Sequence, residues 1–298
     1  MSQRQMLQNQ IIDQEKSKIH ESYHIKDILK FIEDVDHNVK EELFIFFDID
    51  NTIQAPKEEW ENFGSDQWFM KLLRLAFEAA PSKDTEALVL AIYHAVQSHL
   101  TTRAVETDTV RIISELQKKN IHVVGLTARD RKIIEPTLKQ LKNIGVEFCF
   151  KHEDQEQFGL SLQGIENAAT FNHGVIFCNG NSKGDCLAAF FDKINRHPKN
   201  VIMIDDKDKH LYAVKKVIDS YGGYFDGLRY GHEDKNVAEF DKSEQAMQKA
   251  NMKILDIYHQ LSEEGKSAIQ NIYRFQLNKK DHATPEQDEK QIKHGKWF

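Results

Sequence analysis

Six residues of the 298-residue chain stand where their side chains could do chemistry together: Asp48, Asp50, Thr127, Lys183, Asp205 and Asp206. Each follows a short apolar run that reads as a buried strand. LFIFF precedes Asp48, HVVGL precedes Thr127, GVIFC comes shortly before Lys183, and VIMI precedes Asp205-Asp206. Open α/β sheets bind ligands at the carboxyl ends of their strands. A loop beyond the strand end can turn both Asp48 and Asp50 inward toward one site. Carboxylates so placed serve as nucleophiles, proton-transfer groups or ligands of a hard cation. Each position has a plainer reading. Asp48 and Asp50 could make a strand-end turn, with Thr52 capping a helix. Thr127 could be an N-cap, and Asp205-Asp206 could open a helix. Lys183 could be a solvated lysine, although a cation at a helix start opposes the helix dipole and favours an anionic neighbour.

The elements around these residues alternate. Ile25, Ile28, Leu29 and Ile32 keep helical spacing after a polar leader over residues 1–20 that reads as loose or helical. LFIFF then gives the first strand. WENFGSDQWFMKLLRLAFEAA and DTEALVLAIYHAVQSHL are helical stretches separated by Pro81 and Ser82. DTVRIISELQKKN is a helix, IHVVGLTA a strand, and a further helix runs from about Lys132 to Lys142 toward GVEFCF. A turn-rich, Gly-punctuated stretch follows. GVIFCN, a helix from Lys183 and VIMIDD complete the pattern. Strands alternating with helices predict an α/β fold with a doubly wound, Rossmann-like parallel sheet. The helical stretch between the first two strands reads as an inserted cap. The expected organisation is an N-terminal helical segment (1–40), a core (41–55 and 104–230), a helical cap (56–103), and a C-terminal helical extension ending in a polar tail (231–298).

Composition narrows the classes. Forty Lys and Arg against 47 Asp and Glu leave a net charge of −7, which disfavours a nonspecific nucleic-acid binder. No apolar run approaches the roughly 18 residues of a membrane helix. The first residues lack the apolar stretch of a Sec-type signal peptide, so the chain is expected to be cytoplasmic as made. Cys149, Cys178 and Cys186 show no CxxC spacing and read as reduced thiols. None has an Arg six positions later, so a cysteine-phosphatase loop is absent. The fourteen histidines show no HExxH pattern.

The ordered set Asp-Ile-Asp-Asn-Thr (48–52), Thr127, Lys183 and Asp205-Asp206, each after an apolar strand, resembles the four motifs of the haloacid dehalogenase (HAD) superfamily of phosphohydrolases. The resemblance covers roughly residues 40–60 and 105–225. It implies that Asp48 is the nucleophile forming an aspartyl-phosphate and Asp50 the general acid and then base. It implies that Thr127 donates to the phosphoryl oxygens and Lys183 neutralises charge. It also implies Mg²⁺ as cofactor, with Asp48, the Asp50 backbone carbonyl and Asp206 as ligands, and Asp205 as a ligand or one step behind. The second Asp is absent from dehalogenases and transport ATPases, so Asp50 favours phosphate-ester hydrolysis or transfer; a phosphomutase stays open.

Other residues have two readings, structural or ligand-binding. Asn51, Asn172, His173 and Asn181 read as turn formers rather than substrate contacts. Lys207 and Asp208 read as a solvated helix start. Arg129 reads as a surface arginine or a grip for an anionic substrate. Trp68 and Phe69 read as cap core, or as an aromatic wall at a substrate entrance. At a finer level, FFDIDNTI, GSDQWF, GLTARD, GVIFCNGNSKGD and VIMIDDKDKHL resemble a HAD-like group of proteins from intracellular bacteria that includes secreted phosphotyrosine phosphatase-like effectors. This implies a phosphotyrosine substrate and delivery into a host cell without a Sec signal. Two other expectations compete: a phosphatase or mutase for a small metabolite, and a catalytically weak scaffold that binds a protein partner.

Overall fold

The computed structural model describes residues 17–33, 42–79, 82, 84–153, 155–263, 266, 267 and 270. The leader before residue 17 and the polar tail after residue 270 lie outside the described residues. In chain order the elements are β1 (Lys18–Ser22), α1 (Ile28–Glu33), β2 (Leu43–Phe47), β3 (Gln54–Pro56), α2 (Asp66–Ala79), α3 (Thr85–Gln97) and β4 (Thr102–Ala104). Then come α4 (Thr109–Lys118), β5 (His122–Thr127), α5 (Ile134–Asn143), β6 (Gln157–Leu162), β7 (Ile165–Asn172) and β8 (Val175–Phe177). The chain continues with α6 (Lys183–Lys193), β9 (Asn200–Asp205), α7 (Asp208–Ser220), β10 (Tyr224–Tyr230), α8 (Asp234–Lys242), α9 (Glu244–Met252) and α10 (Ile254–Tyr258). It divides into two compact units, one of residues 1–55 and 104–233, the other of 56–103 and 234–298.

The first unit is built on an eight-stranded sheet in the order β1-β10-β9-β2-β5-β8-β7-β6. The strands from β1 to β8 in that order run parallel, and the β6–β7 hairpin closes one end antiparallel. Period-two alternation divides the side chains of the central strands between two cores. Leu43, Ile45 and Phe47 of β2 enter one with Ile28 of α1, Ile112, Ile113 and Leu116 of α4, and Leu141 of α5. Phe44 and Phe46 enter the other with Leu187, Phe190 and Phe191 of α6 and Leu211, Val214 and Ile218 of α7. Helices thus cover both faces, which is why LFIFF is apolar throughout and fully buried. The fold is α/β and doubly wound around a mostly parallel sheet. From β2 the chain proceeds to β5 and β8 on one side and to β9 and β10 on the other. The topological switch therefore lies between β2 and β9.

Two local expectations are corrected. Residues 18–22 are not loose or helical: they form β1, an edge strand pairing parallel to β10 from Lys18↔Asp226 to Ser22↔Tyr230. The N-terminal segment is therefore not purely helical. With only Ile19 apolar, KIHES carries no strand pattern, and its ladder to a residue run over 200 positions away creates the strand. The Gly-punctuated stretch after GVEFCF contains the β6–β7 hairpin. Its continuation into β8 turns on His173 and Gly174, both with positive φ (45° and 77°).

In the second unit α2 packs against α3, and against α8 from the C-terminal segment. Trp68 is 1% exposed; its ring meets Phe63 edge-on at 4.8 Å, and its indole N–H donates to Asn251 Oδ1 at 2.9 Å. Phe69 stacks obliquely on Tyr93 at 4.9 Å. Trp68 is thus core, and it does not form an aromatic wall for a substrate. Lys71 is buried, and its ammonium donates to the carbonyls of Phe240, Asp241 and Ser243 at 3.0–3.1 Å. Phe240 and Asp241 lie in the last turn of α8 and Ser243 just beyond it, where the helix dipole favours a cation. Lys71→Met keeps the bulk but leaves three carbonyls without this donor. Urea denaturation should show a loss of about 2–3 kcal/mol. A loss within error would show that water replaces the ammonium.

Candidate active site

The loop after β2 is a tight turn fixed by its own backbone. Asp48 N–H donates across to Ile204 O of β9 at 2.9 Å. Ile53 and Gln54 N–H both donate to Ile49 O at 3.0 Å, and Asn51 N–H donates to Gln54 O at 2.9 Å. Asn51 takes the left-handed conformation (φ 58°) that Asn tolerates better than most residues. Its side-chain amide reaches toward Asp206 Oδ2 at 3.4 Å. Thr52 is fully buried and its hydroxyl has no hydrogen-bond partner among the described residues, so it caps no helix.

Lys183 is the centre of the cluster. It opens α6 after the N-cap Ser182, yet it is 1% exposed. Its ammonium donates to Asp48 Oδ1 at 2.5 Å and to Asp205 Oδ2 at 2.6 Å, joining α6 to the ends of β2 and β9. Gly184 permits this seat: a Cβ there would lie 2.4 Å from the Ala213 carbonyl oxygen of α7, so only glycine allows the two helices to approach. The solvated-lysine reading is excluded. Asp205 has both oxygens engaged. Oδ1 accepts from Lys207 N–H at 2.9 Å, and the His210 ring nitrogen sits 3.2 and 3.3 Å from Oδ1 and Oδ2.

Carboxylate oxygens of Asp48, Asp205 and Asp206 come within 4.8 Å of one another. Burial, with Asp205 and Asp206 as like-charged neighbours, holds the Asp48 carboxyl well above the usual carboxylate range despite Lys183. Burial also opposes the charge of Asp205, but Lys183 and His210 outweigh it and bring that carboxyl down to about 2. Burial alone would depress Lys183; the two carboxylates overcome it and raise the lysine. One ammonium against three carboxylates leaves an excess of negative charge, carried on oxygen donors. That donor set fits a hard divalent cation such as Mg²⁺.

Asp50 contributes its carboxylate elsewhere. Arg129 Nε donates to Oδ2 at 2.8 Å and Nη2 to Oδ1 at 2.7 Å, a two-point pair. The remaining Arg129 nitrogen, Nη1, donates to Thr137 Oγ1 at 2.9 Å and Gln140 Oε1 at 2.8 Å on α5. Gln140 is held in turn by Gln54 Nε2 at 3.0 Å. Arg129 is therefore neither a surface arginine nor a free grip for a ligand, since it is 6% exposed and committed to Asp50. Its only sequence signal was an arginine two residues beyond a strand-end threonine. Thr127 is buried at the end of β5; its Oγ1 accepts from Arg129 N–H at 3.2 Å, and Asp130 rather than Thr127 caps the following turn.

The remaining candidates are turn formers. Asn181 donates to Cys178 O (2.8 Å) and Ala168 O (3.1 Å), and Asn172 Oδ1 lies 2.6 Å from His173 Nδ1. Lys207 and Asp208 lead into α7.

A family model described as "Protein of unknown function (DUF2608)" matches residues 21–267. An uncharacterized protein of Rickettsia prowazekii is 26% identical over 223 residues, covering 69% of this chain and 78% of that protein. A protein of Chlamydia pneumoniae with an outer-membrane name is 20% identical over 192 residues, covering 64% of this chain and 70% of that one. Among solved structures, a haloacid dehalogenase-like hydrolase of Streptococcus pneumoniae aligns with a TM-score of 0.38 and 13% identity, over 66% of this chain and 97% of its own. No helix among the described residues is long and apolar enough to cross a membrane.

Proposed function

The chain belongs to the DUF2608 family, and we propose that it is a Mg²⁺-dependent phosphatase that cleaves phosphomonoesters through an aspartyl-phosphate on Asp48. The observation that carries this reading is the buried Lys183 bridging Asp48 and Asp205 at the sheet's switch point, with Asp206 beside them.

Lys183 binds one oxygen of Asp48 and leaves Oδ2 to attack phosphorus. The Asp48–phosphorus bond forms as the bond to the leaving oxygen breaks. Asp50, positioned by Arg129, carries a proton once one of its oxygens leaves the two-point pair, and gives that proton to the leaving oxygen. Asp50 then removes a proton from the water that cleaves the acyl-phosphate and frees Asp48. Thr127 and Lys183 stabilise the charge on the transferring group. Mg²⁺, held by Asp48, the Asp50 carbonyl and Asp206, would supply the remaining positive charge. Asp205, with both oxygens committed to Lys183, Lys207 N–H and His210, orients the lysine rather than binding the ion directly.

Within this class we extend the reading to aryl phosphates, phosphotyrosine among them, and to delivery into a host cell. Both rest on the motif wording. The buried Trp68 adds nothing to them.

The test is turnover of phosphotyrosine, phosphoserine and sugar phosphates with Mg²⁺ or with EDTA, for the wild type and Asp48→Asn. Mg²⁺-dependent turnover that falls by about 10⁴-fold or more in the variant is expected. The best substrate separates an aryl phosphatase from a metabolite phosphatase or mutase. Activity that survives Asp48→Asn would overturn the mechanism, and inactivity across the panel would favour a binding scaffold.

A further inference from the structure

We propose that the chain carries a second metal site, apart from the carboxylate cluster, in which His24, Glu106 and His232 bind a d-block divalent cation of the Zn²⁺ class. The three side chains belong to the first unit, and each offers a ligand atom within 4.8 Å of the other two. Topology brings them together. β1 and β10 are parallel neighbours with Ser22 and Tyr230 in register, so the chain leaves the sheet edge side by side at His24 and His232. Glu106 arrives from the segment between β4 and α4.

The distances suit an ion. His24 Nδ1 lies 3.4 Å from Glu106 Oε2, and His232 Nδ1 lies 3.9 Å from Glu106 Oε1. Ligands bound at 2.0–2.2 Å in a tetrahedron sit about 3.3–3.5 Å apart. The first pair already has that separation; His232 approaches the other carboxylate oxygen, and one ligand atom from each of the three residues lies within 4.8 Å of the others. Two imidazoles with one carboxylate is a donor set that favours Zn²⁺, Ni²⁺ or Co²⁺ and is poor for Mg²⁺.

A second layer holds the carboxylate in place, as metal-binding carboxylates require. Glu106 Oε1 accepts from Ile25 N–H and from the Tyr230 hydroxyl, each at 2.5 Å. Burial and the adjacent Glu106 raise the Tyr230 phenol, which therefore stays a donor. The Tyr230 ring lies parallel to that of His232, with centroids 5.9 Å apart. Tyr23 O is 3.0 Å from His232 Nδ1; it accepts a hydrogen bond when that nitrogen is protonated, and offers a further oxygen to an ion when it is not. The His24 and His232 side chains are 59% and 35% exposed, so solvent reaches the site and water can complete the coordination.

The position suggests the role. Ala104 is where the chain re-enters the first unit, two residues before Glu106, and Glu233, next to His232, is where it leaves. An ion here would tie the N-terminal strand to both crossing points.

The experiment is titration of the untagged full chain with Zn²⁺ in excess Mg²⁺, followed by calorimetry, with Co²⁺ absorption as the report on geometry. One equivalent of Zn²⁺ should bind, and the melting temperature should rise. His24→Ala and His232→Ala should each weaken binding about 100-fold and abolish the Co²⁺ bands. Because His24 is exposed, its variant should fold, and an unchanged melting temperature without Zn²⁺ verifies that. Absence of Zn²⁺ binding in the wild type, or binding equally tight in the His24→Ala/His232→Ala double variant, would overturn the proposal and leave a hydrogen-bonded cluster only.

Discussion

In EDTA at pH 7, Lys183→Met should lower the melting temperature by roughly 10 °C, whereas Asp48→Asn, the variant proposed to lose turnover, should raise it by a few degrees. The opposite signs follow from the same cluster. Lys183 is 1% exposed and is bonded to Asp48 and Asp205 on separate strands. Methionine fills the space but leaves two buried carboxylates without their cation, a loss of about 3–5 kcal/mol. Asp48 stands on the other side of the balance. Its carboxyl is raised, first by burial and then by Asp205 and Asp206. A group raised on folding binds its proton more tightly in the folded chain. Stability therefore falls as pH climbs from the ordinary carboxylate value through the raised one. Asparagine cannot ionise, removes that fall, and keeps an oxygen to accept from Lys183. The gain over wild type should be large at pH 7 and shrink toward pH 4. Mg²⁺ should reverse the order by stabilising the wild type and not the variant. A variant less stable than wild type in EDTA at pH 7 would mean that the metal-free cluster is not charge-strained.

Much of this cluster was legible because its parts are local. Runs such as LFIFF and VIMI are apolar at every position only when both faces of a strand are covered. A polar residue that ends such a run is therefore placed at the sheet edge by the strand itself. Lys183 was legible for a different reason: a cation at a helix start is unfavourable without an anion nearby. What stayed hidden depends on distant partners. β1 has almost no apolar residues and exists because β10 supplies a ladder. The C-terminal helices read as an extension, but Lys71, about 170 positions earlier, donates to the end of α8. Arg129 looked like a surface residue because arginine usually is one. Its burial is supported by Asp50, Thr137 and Gln140, and no local pattern announces that set.

Arg129→Met should lower kcat by about 10²–10³-fold with little change in KM, and the loss should depend on the leaving group. Both guanidinium edges are used: two nitrogens grip the two oxygens of Asp50, and the third bonds Thr137 and Gln140 on α5. The carboxyl that on the proposed mechanism gives a proton to the leaving oxygen is thus positioned by an arginine that is itself fixed. Methionine frees Asp50 to rotate, and the proton transfer contributes about 10²–10⁴-fold. A phenolate such as p-nitrophenolate departs without full protonation, whereas an alkoxide from a sugar or serine phosphate cannot. The variant should therefore retain more activity on p-nitrophenyl phosphate than on alkyl phosphates. Asp50→Asn should show the same bias more strongly, and the double variant should be no worse than Asp50→Asn alone, because both changes remove one function. Arg129→Lys should recover little, since a single ammonium cannot make the two-point grip. A uniform loss on every substrate would mean that Arg129 supports the fold and not the proton transfer. Because two of the three groups its side chain joins, Thr137 and Gln140, are buried, a denaturation curve for Arg129→Met belongs beside the kinetics. An unchanged midpoint with a leaving-group-dependent kcat assigns the arginine to Asp50.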